Sequence, residues 1–337
     1  MKSAIYSLLF VVMFGLCAQV SGTNAVAQQT QPGARPSPAA QGQDEREVVN
    51  IRRVRLPITV LDKKGQPVTG LTANDFIILE DKTPQQIETF ADEKDGTPVY
   101  VGVLMDTSPS VAGKLKFEQE SAMNFIQTVI RARKDRVLFA TFDHEITLRQ
   151  DFTDKLDLLD RAVFSVKDLG KQTALYDAVW QFCDEKMRTA PGRRVIVLVT
   201  DGDDTYSRAT LRDAIDIAQR TETTIFAIST KAGFSGTVPG VEAGQVADRG
   251  DRDLVKLCEE TGGAAFFTGD MLALERSFGK ISKELRTQYI VTYKPTNDRY
   301  DGSYRRIEVK LASGRNGLKV RAKRGYTAVA DSIIVPR

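Results

Sequence analysis

Residues 101–110 (VGVLMDTSPS) place oxygen-bearing side chains directly after a short apolar run. The run 101–105 is typical of a buried strand that ends in a turn. Beyond it, one carboxylate and two hydroxyls alternate along the chain as Asp106, Ser108 and Ser110. Oxygen ligands of this kind suit a hard divalent cation, Mg²⁺ above all, far better than zinc or copper. The segment therefore predicts a metal site at the tip of a strand, although the five residues alone are equally consistent with a polar turn.

Two further oxygen-bearing residues stand in loops that are expected to meet this tip. Asp201 directly follows a strand-like run that ends at Thr200, and Thr173 opens a predicted helix over 174–187. In an open parallel sheet, ligands bind beyond the carboxyl ends of the strands, so we expect these loops to converge. Two carboxylates and three hydroxyls leave a six-coordinate cation with positions for water and for one outside ligand, ideally a carboxylate of a partner.

The elements that would hold these loops alternate between strand and helix over residues 97–286. Apolar runs typical of buried strands are separated by amphipathic segments of helical period. This alternation predicts an α/β fold with a doubly wound, mostly parallel sheet and helices on both faces. The apolar runs lie at 101–105, 137–142, 195–199, 224–228 and 264–267, and the helical segments at 115–129, 174–187, 211–218, 254–260 and 271–285.

The flanks of this block, 48–96 and 287–327, alternate apolar and polar side chains with a period of two, which is typical of half-buried antiparallel strands. Within the second flank, 307–311 and 318–322 are predicted as antiparallel strands joined by a turn. A unit of about fifty residues is marginally stable alone. We therefore expect the two flanks to pair in one small antiparallel β-sandwich, with the α/β block inserted in it.

The ends of the chain predict export and flexible segments. An apolar stretch too short for a comfortable membrane span follows Lys2, and small residues precede Gln28, so residues 1–27 are predicted to be a signal peptide. Acylation of Cys17 is the less favoured alternative. Residues 28–47 are predicted to be a disordered linker, and 328–337 a loose tail. We expect a periplasmic or extracellular protein whose mature chain has no transmembrane segment.

Composition argues against several classes of protein. Without the signal peptide, 46 basic residues face 44 acidic ones, which disfavours a nucleic-acid binder.

The mature chain keeps Cys183 and Cys258, each on the apolar side of a predicted helix, and two buried thiols are expected rather than a disulfide. His144 is the only histidine and is expected to be a surface or hairpin residue. With no serine elbow and no phosphate-binding glycine loop, the sequence does not predict an enzyme.

The residues quoted above resemble the von Willebrand factor type A (VWA) domains with their metal-ion-dependent adhesion site. The DxSxS motif stands at 106–110, the threonine in QTALYDA and the second aspartate in VTDGDD, and the resemblance covers about residues 98–285. It implies that Ser108, Ser110 and Thr173 touch the metal directly, and that Asp106 and Asp201 hold it mainly through water.

The flanks are similar to a subgroup of exported VWA-related proteins found largely in Acidobacteria. Members of the family often carry Gly-Gly before the threonine, where this chain has Lys171-Gln172. Lys171 either weakens the binding of the metal or attracts a carboxylate of the partner. The long segment 231–250 is either a tolerated surface insertion or a specificity loop.

Together these features predict an exported, metal-dependent, adhesion-type binding module. It would capture an Asp or Glu side chain of a partner protein through Mg²⁺, with Mn²⁺ or Ca²⁺ as alternatives. The predicted ligands are Asp106, Ser108, Ser110, Thr173 and Asp201. The alternatives are an envelope scaffold whose metal site has no function and, less favoured, a hydrolase that the motifs do not reveal.

Overall fold

A computed structural model of the chain describes residues 53–92, 96–230, 249–267, 271–312 and 317–329. The predicted signal peptide and linker lie outside the described residues, and so do positions 231–248 of the long segment and 330–337 of the tail. Within the described part, no helix is long and apolar enough to cross a membrane.

The described residues form strands and helices in the following order. The strands are β1 (Val54–Leu61), β2 (Phe76–Glu80), β3 (Thr83–Gln85), β4 (Ile87–Ala91), β5 (Val99–Asp106), β6 (Arg136–Phe142), β7 (Ile146–Thr153), β8 (Arg193–Thr200), β9 (Thr223–Ser229), β10 (Ala265–Phe267), β11 (Tyr289–Tyr293), β12 (Tyr304–Leu311), β13 (Lys319–Arg321) and β14 (Gly325–Thr327). The helices are α1 (Leu115–Val129), α2 (Leu156–Phe164), α3 (Leu175–Phe182), α4 (Leu211–Arg220), α5 (Arg249–Thr261) and α6 (Met271–Thr287).

The central sheet has six strands in the order β10-β9-β8-β5-β6-β7. All neighbouring pairs are parallel except β6 and β7, which form a hairpin at one edge. The predicted doubly wound, mostly parallel sheet is confirmed. Strand β7 and helix α2 were not among the predicted elements. Strand β7 is half-exposed along its length and lacks the apolar run of the inner strands.

Both faces of the sheet are buried, which explains the uninterrupted apolar runs. On β5, Val103 and Met105 pack in the core that includes residues of α1, α2 and α6. Leu104 points to the opposite face and packs in the core that includes residues of α3, α4 and α5. Because successive side chains of a strand alternate between faces, a strand covered on both sides must be apolar throughout.

Two four-stranded antiparallel sheets flank the α/β block, in the orders β13-β1-β11-β4 and β14-β12-β2-β3. Each sheet mixes strands that precede the block with strands that follow it. In the first, Leu56 of β1 lies opposite Val291 of β11, and in the second, Ile78 of β2 lies opposite Val309 of β12. The predicted β-sandwich, built from both flanks around an inserted α/β block, is confirmed.

The predicted hairpin between 307–311 and 318–322 is wrong in its pairing. Strand β13 is hydrogen-bonded to β1 in the first sheet, whereas β12 pairs with β2 and β14 in the second. A period of two fits an edge of either sheet equally well, so the pattern alone does not identify the partner strand.

A buried carboxylate joins the two sheets of the sandwich. Glu80 is 3% exposed and accepts hydrogen bonds from the hydroxyls of Tyr293 (2.7 Å) and Tyr326 (2.9 Å). Burial raises the pKa of Tyr293, and the neighbouring Glu80 raises it further. Since the three residues lie on β2, β11 and β14, this cluster connects chain segments from before and after the inserted block.

Both described cysteines are buried and unpaired, as expected from the sequence. Cys183 begins a π-helical turn, Cys183–Met187, that continues α3, and Cys258 lies on α5. Burial raises the pKa of the Cys183 thiol to about 12, although the hydroxyls of Thr221 and Thr223 oppose the rise.

Candidate metal centre

The site is built at the carboxyl ends of β5 and β8, which are parallel neighbours in the sheet. Asp106, the last residue of β5, is fully buried. One of its oxygens, Oδ2, accepts a 2.6 Å hydrogen bond from the hydroxyl of Thr200, and the other, Oδ1, accepts a 2.8 Å bond from the backbone N–H of Ser108. The carboxylate is therefore held in one orientation by the strand beside it and by the turn after it.

The two serines of the motif lie side by side. The hydroxyl oxygens of Ser108 and Ser110 are 2.9 Å apart, and a short 3₁₀ turn, Pro109–Val111, brings them together. Ser108 is buried, whereas Ser110 is exposed. The hydroxyl pair thus reaches from the buried carboxylate toward solvent, which is the arrangement that a site open to an outside ligand requires.

Asp201 follows β8 directly and is 7% exposed. Its negative charge is near enough to Asp106 to raise the pKa of that residue, so the two carboxylates share one electrostatic environment. Gly202, with a φ of +86°, turns the chain away immediately after Asp201, and a Cβ there would lie 2.7 Å from Leu254. A glycine is required at this turn because other residues rarely adopt this backbone conformation.

The electrostatics of Asp106 result mainly from burial. Its pKa is raised from 3.8 to about 6, mainly by burial and in smaller part by the charge of Asp201. The hydrogen bonds from Thr200 and Ser108 act in the opposite direction. A carboxylate in this environment is costly to ionise without a compensating positive charge.

The loop that carries Thr173 is fixed to its neighbours through backbone groups. The N–H of Thr173 donates to the hydroxyl of Thr205, and its carbonyl accepts from the N–H groups of Thr205 and Tyr206, each at 2.9 Å. Thr173 itself is 5% exposed. Among the residues that the structure describes, no hydrogen bond joins it directly to the other four predicted ligands. Its loop is instead hydrogen-bonded to the loop that follows Asp201.

The opposite side of the same loop is hydrogen-bonded to the turn after β5. The N–H of Gly170 donates a 2.8 Å hydrogen bond to the carbonyl of Thr107. A Cβ at position 170 would lie 2.1 Å from Cγ of Asp143, so only glycine fits. Three loops, after β5, before α3 and after β8, are thereby joined at one edge of the sheet, as the sequence predicted from strand ends.

His144 and Lys171 lie at the rim of these loops. His144 occupies the β6–β7 turn, and its Nδ1 is 2.7 Å from Oδ1 of Asp143 and 3.4 Å from the backbone N–H of Lys171. His144 is exposed in this turn, which agrees with the expectation of a surface or hairpin residue. Oδ1 of Asp204 accepts a 3.3 Å hydrogen bond from the N–H of Tyr176 in the first turn of α3.

The donor set fits a hard divalent cation. Within the described ranges, no three His, Cys, Asp or Glu side chains come together in a group that would hold a metal ion. The candidate site instead combines two carboxylates with hydroxyls, and its ligand atoms are all oxygen. Mg²⁺ prefers such ligands and keeps several of its waters, so it does not require a cage of protein carboxylates.

Two residues of this neighbourhood were missed from the sequence. Thr200, the last residue of β8, is the hydrogen-bond donor that orients Asp106. Glu118, in the first turn of α1, is fully buried. The signal for Glu118 was present, because it lies three residues after Leu115 and four before Ala122 on the apolar stripe of the helix.

Comparison with known proteins identifies the α/β block. The sequence model described as von Willebrand factor type A domain matches residues 101–279, which is 179 of 337 residues and just over half of the chain. No curated protein matches the chain in sequence.

Several solved structures are similar to part of the chain. A mutated aerotolerance-related membrane protein from Bacteroides fragilis NCTC 9343 is 14% identical, with a TM-score of 0.44 over 56% of this chain and 98% of that one. Proximal thread matrix protein 1 from the mussel byssus is 15% identical, with a TM-score of 0.46 over 59% and 49%. The vWF domain of the type V pili tip protein Mfa5 from Porphyromonas gingivalis is 23% identical, with a TM-score of 0.30 over 32% and 39%.

Proposed function

Because the chain belongs to the von Willebrand factor type A domain family, whose members mediate protein–protein interactions, we propose that it is an exported, metal-dependent binding module and not an enzyme. Its partner is a protein that offers an Asp or Glu side chain to a divalent cation, Mg²⁺ in the first place. Export to the periplasm or the cell exterior rests on the signal-like residues 1–27. Membership of the exported subgroup found largely in Acidobacteria stays a prediction.

One observation carries the proposal. The buried Asp106 is oriented by Thr200 and by the Ser108 N–H, and it stands beside the Ser108–Ser110 hydroxyl pair, of which one member faces solvent. An acidic pair behind and hydroxyls in front would hold a cation while leaving its outer side to water or to a carboxylate of the partner. Asp106, Ser108, Ser110, Thr173 and Asp201 are the residues that would hold it.

Cation binding is tested first, by isothermal titration of the wild-type protein with MgCl₂ and MnCl₂. We expect binding to the wild type and none to Asp106→Ala. Asp157→Ala is the matched control, because it removes a carboxylate that is exposed on α2 and paired with Arg161, 3.2 Å away. The same null titration for wild type and Asp106→Ala would show that the site takes no cation.

Partner capture is tested second, with the immobilised protein and an envelope extract. We expect proteins that are retained in Mg²⁺, released by EDTA and absent from the Asp106→Ala matrix. Retention that is unchanged by EDTA and by Asp106→Ala would refute the metal-dependent mechanism and favour a scaffold whose α/β domain is purely structural.

A further inference from the structure

Glu118 is a fully buried acid in the first turn of α1. Its side chain is fully buried, and within the described residues neither carboxylate oxygen has a hydrogen-bond partner. The hydroxyl of Thr230 is near enough to lower the pKa of Glu118, but the two groups do not reach hydrogen-bond geometry. Buried polar atoms are nearly always paired, and an unpaired carboxylate is among the most costly exceptions.

Residues close to Glu118 are hydrogen-bonded to the candidate metal centre. The backbone N–H of Thr230 donates to the carbonyl of Thr200 at 3.0 Å, and the hydroxyl of Thr200 donates to Asp106. Burial raises the pKa of Glu118 well above its usual range, and the negative charges of Asp106 and Asp201 raise it further. The three acids therefore affect one another electrostatically, although Glu118 lies on a helix and the other two lie at the ends of strands.

Among the described residues, Lys114 is a basic residue close to Glu118. Lys114 lowers the pKa of Glu118, yet its Nζ donates its 2.7 Å hydrogen bond to the carbonyl of Thr230 and not to a carboxylate. Three carboxylates and one ammonium leave two negative charges when all are ionised. That is the charge that one divalent cation neutralises.

We propose that Glu118 is a positioning residue of the cation site, whose carboxylate supplies a third negative charge behind Asp106. This inference rests on the proposed function, in which the site takes a divalent cation. Glu118 acts on the ion through its charge and across water, not by direct coordination, because the described acidic side chains do not form a group of three that would hold a metal. Partners of this outer kind typically change metal affinity by about 10- to 100-fold.

The test uses Glu118→Gln, which keeps the shape of the side chain and removes its charge. We expect its Kd for Mn²⁺, measured by isothermal titration, to be weakened at least about tenfold. In EDTA, its midpoint of thermal unfolding is expected to equal or exceed that of the wild type, because a buried unpaired carboxylate has been removed. A purely structural role would instead lower the midpoint in EDTA and leave the affinity for Mn²⁺ unchanged.

Glu120→Gln is the matched control. It makes the same chemical change two residues away, at a partly exposed side chain that lies 3.8 Å from Lys116, and both quantities are expected to stay at wild-type values. Glu118→Met covers the case in which the glutamine variant does not fold, because an apolar side chain of similar size adds no unpaired polar atom of its own. It is expected to weaken Mn²⁺ binding by as much as Glu118→Gln.

The outcomes separate this inference from the proposed function. Wild-type affinity for Mn²⁺ in a folded Glu118→Gln or Glu118→Met protein overturns the role of Glu118, while binding by wild type and its loss in Asp106→Ala still support the cation site. No binding of Mn²⁺ to the wild type overturns both.

Discussion

Replacing Asp106 by asparagine is expected to stabilise the metal-free protein at neutral pH. Burial raises the pKa of Asp106 from 3.8 to about 6 in the folded state, so the folded protein binds this proton more tightly than the unfolded chain does. The contribution of Asp106 to stability is therefore present in full below about pH 3.8 and is lost as the pH rises through about 6. Asparagine is uncharged at every pH, so the variant does not undergo this loss of stability as the pH rises.

The magnitude follows from the same values. The difference between about 6 and 3.8 corresponds to about 3 kcal/mol, since one pH unit of pKa difference is about 1.4 kcal/mol. Asparagine has one acceptor oxygen, whereas the carboxylate accepts from both Thr200 and Ser108, so the variant loses one hydrogen bond worth about 1 kcal/mol. The net expectation is a gain of about 2 kcal/mol in the free energy of unfolding at pH 7.5 in EDTA.

Urea unfolding in EDTA at pH 4.5 and pH 7.5 measures this effect. The stability difference between Asp106→Asn and the wild type should be positive at pH 7.5 and should shrink or reverse at pH 4.5. In Mg²⁺ at pH 7.5 the wild type is expected to gain stability and the variant to gain none.

Asp135→Asn is the control for burial alone. Asp135 is also buried, but Arg131 and the Val99 N–H outweigh the effect of burial and hold its pKa below the usual value. That variant is expected to be less stable than the wild type at pH 7.5. If Asp106→Asn were no more stable than the wild type in EDTA at pH 7.5, the assignment of Asp106 as an uncompensated buried acid would be wrong.

Two further predictions concern the sandwich and the thiols. Glu80→Ala leaves the Tyr293 and Tyr326 hydroxyls without their acceptor, so urea unfolding should show a loss of about 3 kcal/mol or more, and a loss below 1 kcal/mol would contradict the role of this cluster. Cys183 and Cys258 are buried with raised thiol pKa values, so a thiol reagent at pH 8 should modify them only after denaturation; rapid reaction of the native protein would contradict this placement.

Much of the fold was predictable because burial leaves a clear pattern in the sequence. The inner strands β5, β8 and β9 are covered on both faces and appear as unbroken apolar runs. The edge strand β7 is half-exposed, so it lacks this pattern and was missed. Insertion of the α/β block in a sandwich followed from the size of the two flanks, but the sheet to which β13 belongs did not, because pairing depends on contacts distant in sequence.

The candidate site was predictable to the extent that strand ends determine it. Asp106 ends β5 and Asp201 follows β8, and these strands lie side by side and parallel, so the proximity of the two acids follows from topology. Glu118 was not found, because a charged residue on a helix is ordinarily solvated and one exception on an apolar stripe carries little weight. Only the packing of α1 on the sheet places its carboxylate near those two acids.

The free-energy cost of burying the acids is linked to the backbone contacts that hold the surrounding loops in place. Three of the contacts that join the loops use backbone atoms alone: Gly170 donates to the Thr107 carbonyl, Thr205 to the Thr173 carbonyl, and Thr230 to the Thr200 carbonyl. Such bonds do not involve the side chains of the predicted ligands, so they are expected to survive when one of those side chains is replaced. Repulsion among the acids is therefore resisted by main-chain contacts that do not depend on the cation. For this reason, substitutions at Asp106 or Glu118 are expected to alter cation affinity and pH dependence while the loops keep their positions.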